Sequence, residues 1–215
     1  MLQTARKTAS QPFNVFLYVD DDDPEKDNYP QSDDTVTRFD GPSVRTARSI
    51  LFMLDRVQTP YFMLGADDIE FKTKDWDRTM LKAMPPDDMA LISAYTTFKN
   101  SDGHFICSMR WHREIGLFPP DVFKHFGPDG WSIDVAKRAG RFIQLHDVII
   151  EHNHFKNGKA ENDLTYQRAR KDGDAGKAME YIQKTGHVRD ALANKIKQIA
   201  EAHARFIDTQ APYGA

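Results

Sequence analysis

Apolar residues change their spacing several times along the chain, and each change marks an element. The run Phe13-Asn14-Val15-Phe16-Leu17-Tyr18-Val19, closed by four aspartates and Pro24, predicts a strand buried on both faces that stops at an acidic loop. After Gly41-Pro42, the residues Val44, Ala47, Leu51, Leu54 and Val57 recur at helical spacing, which predicts a helix over about 43–57 with Ser43 as N-cap. Residues 61–64 predict a second strand ending on Gly65-Ala66-Asp67-Asp68, and 75–84 a short helix before Pro85-Pro86. Two further strands, 89–95 and 104–109, flank the turn-rich Lys99-Asn100-Ser101-Asp102-Gly103. Residues 131–139 read as a short helix and 147–152 as another strand. Val188, Leu192, Ile196, Ile199 and Phe206 then trace one face of a long final helix, separated by Gly186 from the helix before it.

Strands alternating with helices predict an α/β fold. With no internal repeat and no Pro/Gly/Ser-rich linker, the expected organisation is an α/β part over 1–155 and a helical C-terminal extension over 156–215 packed on it. At 215 residues and 40% hydrophobic, the chain can bury roughly 70% of its unfolded surface without staples. Its single cysteine, Cys107, excludes a disulfide within the chain. No run reaches the roughly 18 apolar residues of a membrane span, and the first residues carry no signal-peptide pattern, so the expectation is a cytoplasmic protein. The net charge of -3 hides an asymmetry: residues 1–40 hold four basic and nine acidic side chains, residues 156–206 eleven basic and seven acidic. No stripe is basic enough to argue for nucleic acid as the main partner.

Candidate chemistry gathers where strands end. Asp67-Asp68 on a tight loop supplies hard oxygen ligands for Mg²⁺ or Mn²⁺, although a solvated acidic turn is the ordinary alternative. Asp20-Asp21-Asp22-Asp23 closes the first strand; Asp20, at the strand end, suits hydrogen bonds from a nucleoside, and Asp22 suits either solvent or ligand. His152 and His154, two apart in an extended segment, share one face and could complete a metal shell with Asp67. Asp129, in Gly127-Pro128-Asp129-Gly130-Trp131, suits a general base or an N-cap. Arg45 and Arg48, three apart on the expected helix, could meet a diphosphate or face solvent.

Taken in order, these segments resemble a GT-A type glycosyltransferase, particularly the small glycosyltransferase-like proteins of bacteriophage and bacterial genomes. Val19-Asp20-Asp21-Asp22-Asp23-Pro24 with Tyr29 resembles the nucleotide-contacting strand end. The stretch from Thr59 to Asp68, continued by Phe71-Lys72-Thr73-Lys74-Asp75-Trp76-Asp77, resembles the strand and Asp-x-Asp metal motif, with Gly65 in place of the first aspartate. Gly116-Leu117-Phe118-Pro119-Pro120 and the segment around Asp129 resemble the acceptor side, and Asp147 to His154 the closing strand.

The resemblance implies a Rossmann-like mixed sheet flanked by helices and lacking the family's usual first strand. It also implies sugar transfer from a nucleotide-sugar to a hydroxyl acceptor. In that reading Asp67, His152 and His154 hold Mn²⁺ or Mg²⁺, Asp20, Asp22, Arg45, Arg48 and Asp68 meet the donor, and Asp129 is an inverting base. A glycan, a protein or a modified nucleic acid would serve as acceptor. The alternatives are a binding or assembly module whose impaired donor site leaves a sheet edge for a second copy or another chain, and a metal-dependent phosphoesterase using the same aspartates and histidines.

Overall fold

The computed structural model describes residues 1–97, 103–119, 122–123, 126–153, 158–159 and 174–210. Strand β1 (Val15–Asp20) pairs in parallel with β2 (Val36–Gly41), with Val15 opposite Val36 and Asp20 opposite Gly41. A separate five-stranded sheet is built from β3 (Tyr61–Met63), β4 (Ile69–Phe71), β5 (Leu91–Thr96), β6 (Phe105–Ser108) and β7 (Phe142–His152), in the order β3-β6-β5-β7-β4. β6 runs antiparallel to β3 and β5, β4 runs antiparallel to β7, and β5 and β7 are parallel. It follows that β3, β5 and β7 point the same way, and their carboxyl ends share one edge of the sheet. The β5–β7 register shifts between Ala94, opposite Leu145, and Tyr95, opposite Ile149, so β7 bulges there.

The period of two in β5 and β6 sorts side chains onto two cores. Leu91, Phe105 and Cys107 face one cluster, which includes Ala47 and Leu54 of α2 (Thr46–Leu54) and Trp111 of α4 (Met109–Ile115). Trp131 and Val135 of α5 (Pro128–Ala139) join it, as do Ala178 of α6 (Asp174–Lys184) and Ile196 of α7 (Gly186–Gln210). Ile92, Ala94, Ile106, Val148 and Ile150 face the other, with Ala5 of α1 (Leu2–Thr8) and Trp76 and Met80 of α3 (Trp76–Lys82). The fold is therefore α/β, a mixed sheet between two helical layers, with α6 and α7 sharing the first core.

Helix α1 lies along edge strand β4: Thr4 Oγ1 accepts from Phe71 N at 3.2 Å, and Trp76 Nε1 donates to the Ala5 carbonyl at 3.3 Å. This covers an edge that would otherwise invite strand addition. No helix among the described residues is long and apolar enough to cross a membrane.

Several expectations shift. β1 is half-buried, with Val19 its one fully buried residue, because two strands and one helix cannot cover both of its faces. The helix expected over 43–57 begins at Thr46, since Arg45 takes φ 74°, ψ 154° and stands outside it; Ser43 is not the N-cap and instead donates to Asp20. Arg45 and Arg48 therefore do not share a helical face. The N-cap of α5 is Gly127 and Pro128 is its first residue, so Asp129 sits in the first turn and is not a cap.

Candidate functional site

Sequence-distant groups meet at the carboxyl edge of β3, β5 and β7. The loop leaving β3 turns at Asp67-Asp68 and re-enters the sheet as β4, whose first residue, Ile69, pairs with His152 at the end of β7. This pairing fixes Asp68 beside His152: His152 Nε2 lies 2.9 Å from Asp68 Oδ2, and Asn153 N donates to the Asp68 carbonyl at 2.7 Å. Both side chains are largely covered, at 15% and 21% exposure.

Asp67 faces outward, where Tyr29 Oη donates to its Oδ2 at 3.3 Å. Tyr29 belongs to the loop after β1, so this contact brings together the two acidic loops that the sequence leaves some forty residues apart. Burial first, then the Asp67 and Asp23 carboxylates, hold the Tyr29 phenol well above the ordinary tyrosine range. Arg38 steadies the loop by donating to the Tyr29 carbonyl at 3.2 Å while pairing with Asp40. Asp20, half-buried at the end of β1, accepts from Ser43 Oγ at 2.8 Å; Asp22 is exposed on the same loop, Arg45 precedes α2 and Arg48 lies in its first turn.

His104, which the sequence reading did not single out, precedes β6 and is 7% exposed. Its ring centroid stands 5.3 Å from that of His152, at 72°. Burial, reinforced by His152 beside it, pushes His104 down to about 4. Its Nε2 is buried without a hydrogen-bond partner among the described residues. The signal available in the sequence was an ionisable residue placed between Gly103 and the apolar run Phe105-Ile106-Cys107.

Asp129 arrives from the other side. A Cβ on Gly103 would stand 2.7 Å from Asp129 Oδ2, so this carboxylate rests against the backbone next to His104. The structure thus brings Asp129, Asp68, His152 and His104 to one edge and joins Asp67 to Tyr29. His154 lies outside the described residues.

Among the described residues no three histidine, cysteine or carboxylate side chains stand grouped as a cation site. What stands there is a carboxylate, an imidazole bonded to it, and a second buried imidazole whose Nε2 has no hydrogen-bond partner among the described residues. A groove of about 460 Å³ lined by Ser10, Phe13, Trp76, Leu81 and Lys82 lies elsewhere and contains none of these groups. No protein-family model and no curated protein matches the chain.

Proposed function

We propose that the chain transfers a sugar from a nucleotide-sugar donor to a hydroxyl acceptor, in the manner of a GT-A type glycosyltransferase using Mn²⁺ or Mg²⁺. The observation that carries this reading is the convergence of Asp68, His152 and Asp129 at the carboxyl edge of the parallel strands, with Asp67 tied through Tyr29 to the acidic loop of β1. Ligands of open α/β sheets collect at such edges.

Asp67, Asp68 and His152, with His154, would hold the ion, whose charge would stabilise the departing diphosphate. Asp20 and Asp22 accept hydrogen bonds from the nucleoside, and Arg45 and Arg48 meet the diphosphate. Asp129 takes the proton of the acceptor hydroxyl. The acceptor oxygen then bonds to the anomeric carbon, the bond from that carbon to the diphosphate oxygen breaks, and the electron pair leaves with the diphosphate. Displacement on one face with departure from the other inverts the anomeric centre.

Calorimetric titration of UDP and of GDP, each with Mn²⁺, tests the donor site. Metal-dependent binding that disappears in Asp67→Ala is expected, and binding that ignores Asp67 rejects the assignment. Asp129→Asn should keep nucleotide binding while transfer falls about 10²- to 10⁴-fold.

The separation of β1–β2 from the five-stranded sheet supports a second reading. Each of β1 and β3 has one strand neighbour among the described residues. A binding or assembly module that uses such edges toward another chain would bind neither nucleotide.

A further inference from the structure

We propose that Tyr95, with Ile149 and His146 beside it, is the platform on which a neutral sugar ring of the acceptor lies, so that the acceptor is a glycan. The inference deepens the transfer reading above and rests on it for the part played by Asp129.

Strands β5 and β7 are interior to the sheet and parallel, and parallel strands are normally covered on both faces. Along β5 the cover is complete from Leu91 to Ala94 and then breaks, for Tyr95 is 42% exposed. Its register partner on β7, Ile149, is 37% exposed between the fully buried Val148 and Ile150. Partners in register share a face, so the two side chains leave an apolar patch on the sheet. The exposed His146, in the bulge of β7, adjoins it: its ring centroid is 5.5 Å from that of Tyr95, the two planes inclined at 46°.

A carboxylate stands at the rim of this patch. Ser93 pairs with Phe105, and Ala94 N donates to the His104 carbonyl, so Gly103 comes level with Tyr95. Opposed residues of antiparallel strands put their Cβ atoms on one face, about 4.5–5.5 Å apart. At Gly103 the space beside the backbone on that face is held by Asp129, whose Oδ2 lies 2.7 Å from where a Cβ would be. The carboxylate therefore shares the face of Tyr95 and stands within roughly 8 Å of its Cβ.

An aromatic ring and a carboxylate at this spacing match a pyranose. The C–H bonds of one sugar face pack on the electron-rich face of the ring, and hydroxyls at the sugar's edge donate to the carboxylate. A sugar lying on Tyr95 thus presents a hydroxyl to Asp129. Charge tells against a nucleic acid here, because Asp129 repels phosphate, and Lys72 and Lys159, which meet the end of β7, are paired with Glu151.

The test adds neutral methyl pyranosides (gluco, galacto, manno and N-acetylglucosamine) at millimolar concentration to the full chain labelled with ¹⁵N, without nucleotide or metal. Saturation transfer should fall mainly on the C–H protons of one sugar face, and the amides of Tyr95, Gly103 and Ile149 should shift. Tyr95→Ala should weaken binding at least about tenfold and Tyr95→Phe should bind as wild type does. Binding by no pyranoside, equal binding by Tyr95→Ala, or a loss in Tyr95→Phe as large as in Tyr95→Ala overturns the proposal. Shifts centred elsewhere also overturn it, and this wild-type map decides if Tyr95→Ala does not fold. A single-stranded oligonucleotide that displaces the pyranoside and shifts the same amides more strongly overturns the glycan assignment in favour of a nucleic acid. Tyr95-dependent sugar binding in a protein that binds neither UDP nor GDP upholds the platform and rejects the transfer reading. Nucleotide binding without sugar binding does the reverse.

Discussion

Two regions of the molecule present aspartates at strand ends, and they hold them in different ways. In the five-stranded sheet, Asp68 is fixed on both sides, by Asn153 N on its carbonyl and His152 on its side chain, above strands whose Leu91, Ile92 and Ala94 are fully buried. In the β1–β2 pair, Asp20 has the exposed Ser43 hydroxyl as its hydrogen-bond partner, and the strand beneath it is half-buried. Parallel strands normally need cover on both faces. The aromatic side chains Phe16, Tyr18, Phe39 and Phe52 cover one face of the pair, with Arg56 stacked 3.6 Å over Phe52. The contrast teaches that the same acidic strand end can be rigid or pliant according to the layers behind it. On the proposed reading the rigid one would hold the ion and the pliant one would meet the nucleoside, which must enter and leave.

The largest expected effect tests the rigid side. Phe105→Ala should cost about 3–5 kcal/mol in urea unfolding, because Phe105 is fully buried between β3 and β5. A loss no larger than that of Phe16→Ala, whose ring is half-buried, would erase the distinction.

Acid should act on the same region. Burial holds folded His104 at about 4 against an ordinary 6.5, so between those values the unfolded chain binds a proton that the folded chain refuses. Stability is full above about pH 6.5 and falls toward pH 4, by about 3 kcal/mol for this group. Thermal melts of metal-free protein should show this slope, and His104→Gln should flatten it.

Gly103→Ala comes next: its Cβ would press on Asp129, and a displaced base of about 1 Å should lower transfer about a hundredfold with little change in melting temperature. The smallest effect belongs to the link between the regions. Tyr29→Phe removes the hydrogen bond to Asp67 and should cost about 0.5–1.5 kcal/mol; hydrogen exchange should show faster exchange in β1–β2 and none in β5.

The sequence made much of the rigid region legible and little of the pliant one. Apolar runs announced β5 and β6, and Gly186 marked the junction of α6 and α7, because such signals are local. β2, Val-Thr-Arg-Phe-Asp-Gly, escaped since its polar residues break any apolar run, and β4 is three residues long. The partition into two sheets depends on which strands pair across the chain, which spacing does not encode. At the site, both acidic loops and His152 were legible as strand-end chemistry. His104 was not, because its place beside the His152 ring arises only after folding, and His152 was expected on Asp67 whereas the fold sets it against Asp68.

Cys107, in the middle of β6, has a consequence of its own. It is fully buried between β3 and β5, and burial raises its thiol well above the ordinary range, so it resists alkylation in the folded protein. The only sulfhydryl in the chain thus serves as an internal clock. Its labelling rate records each opening of the central sheet and is blind to the breathing of β1–β2.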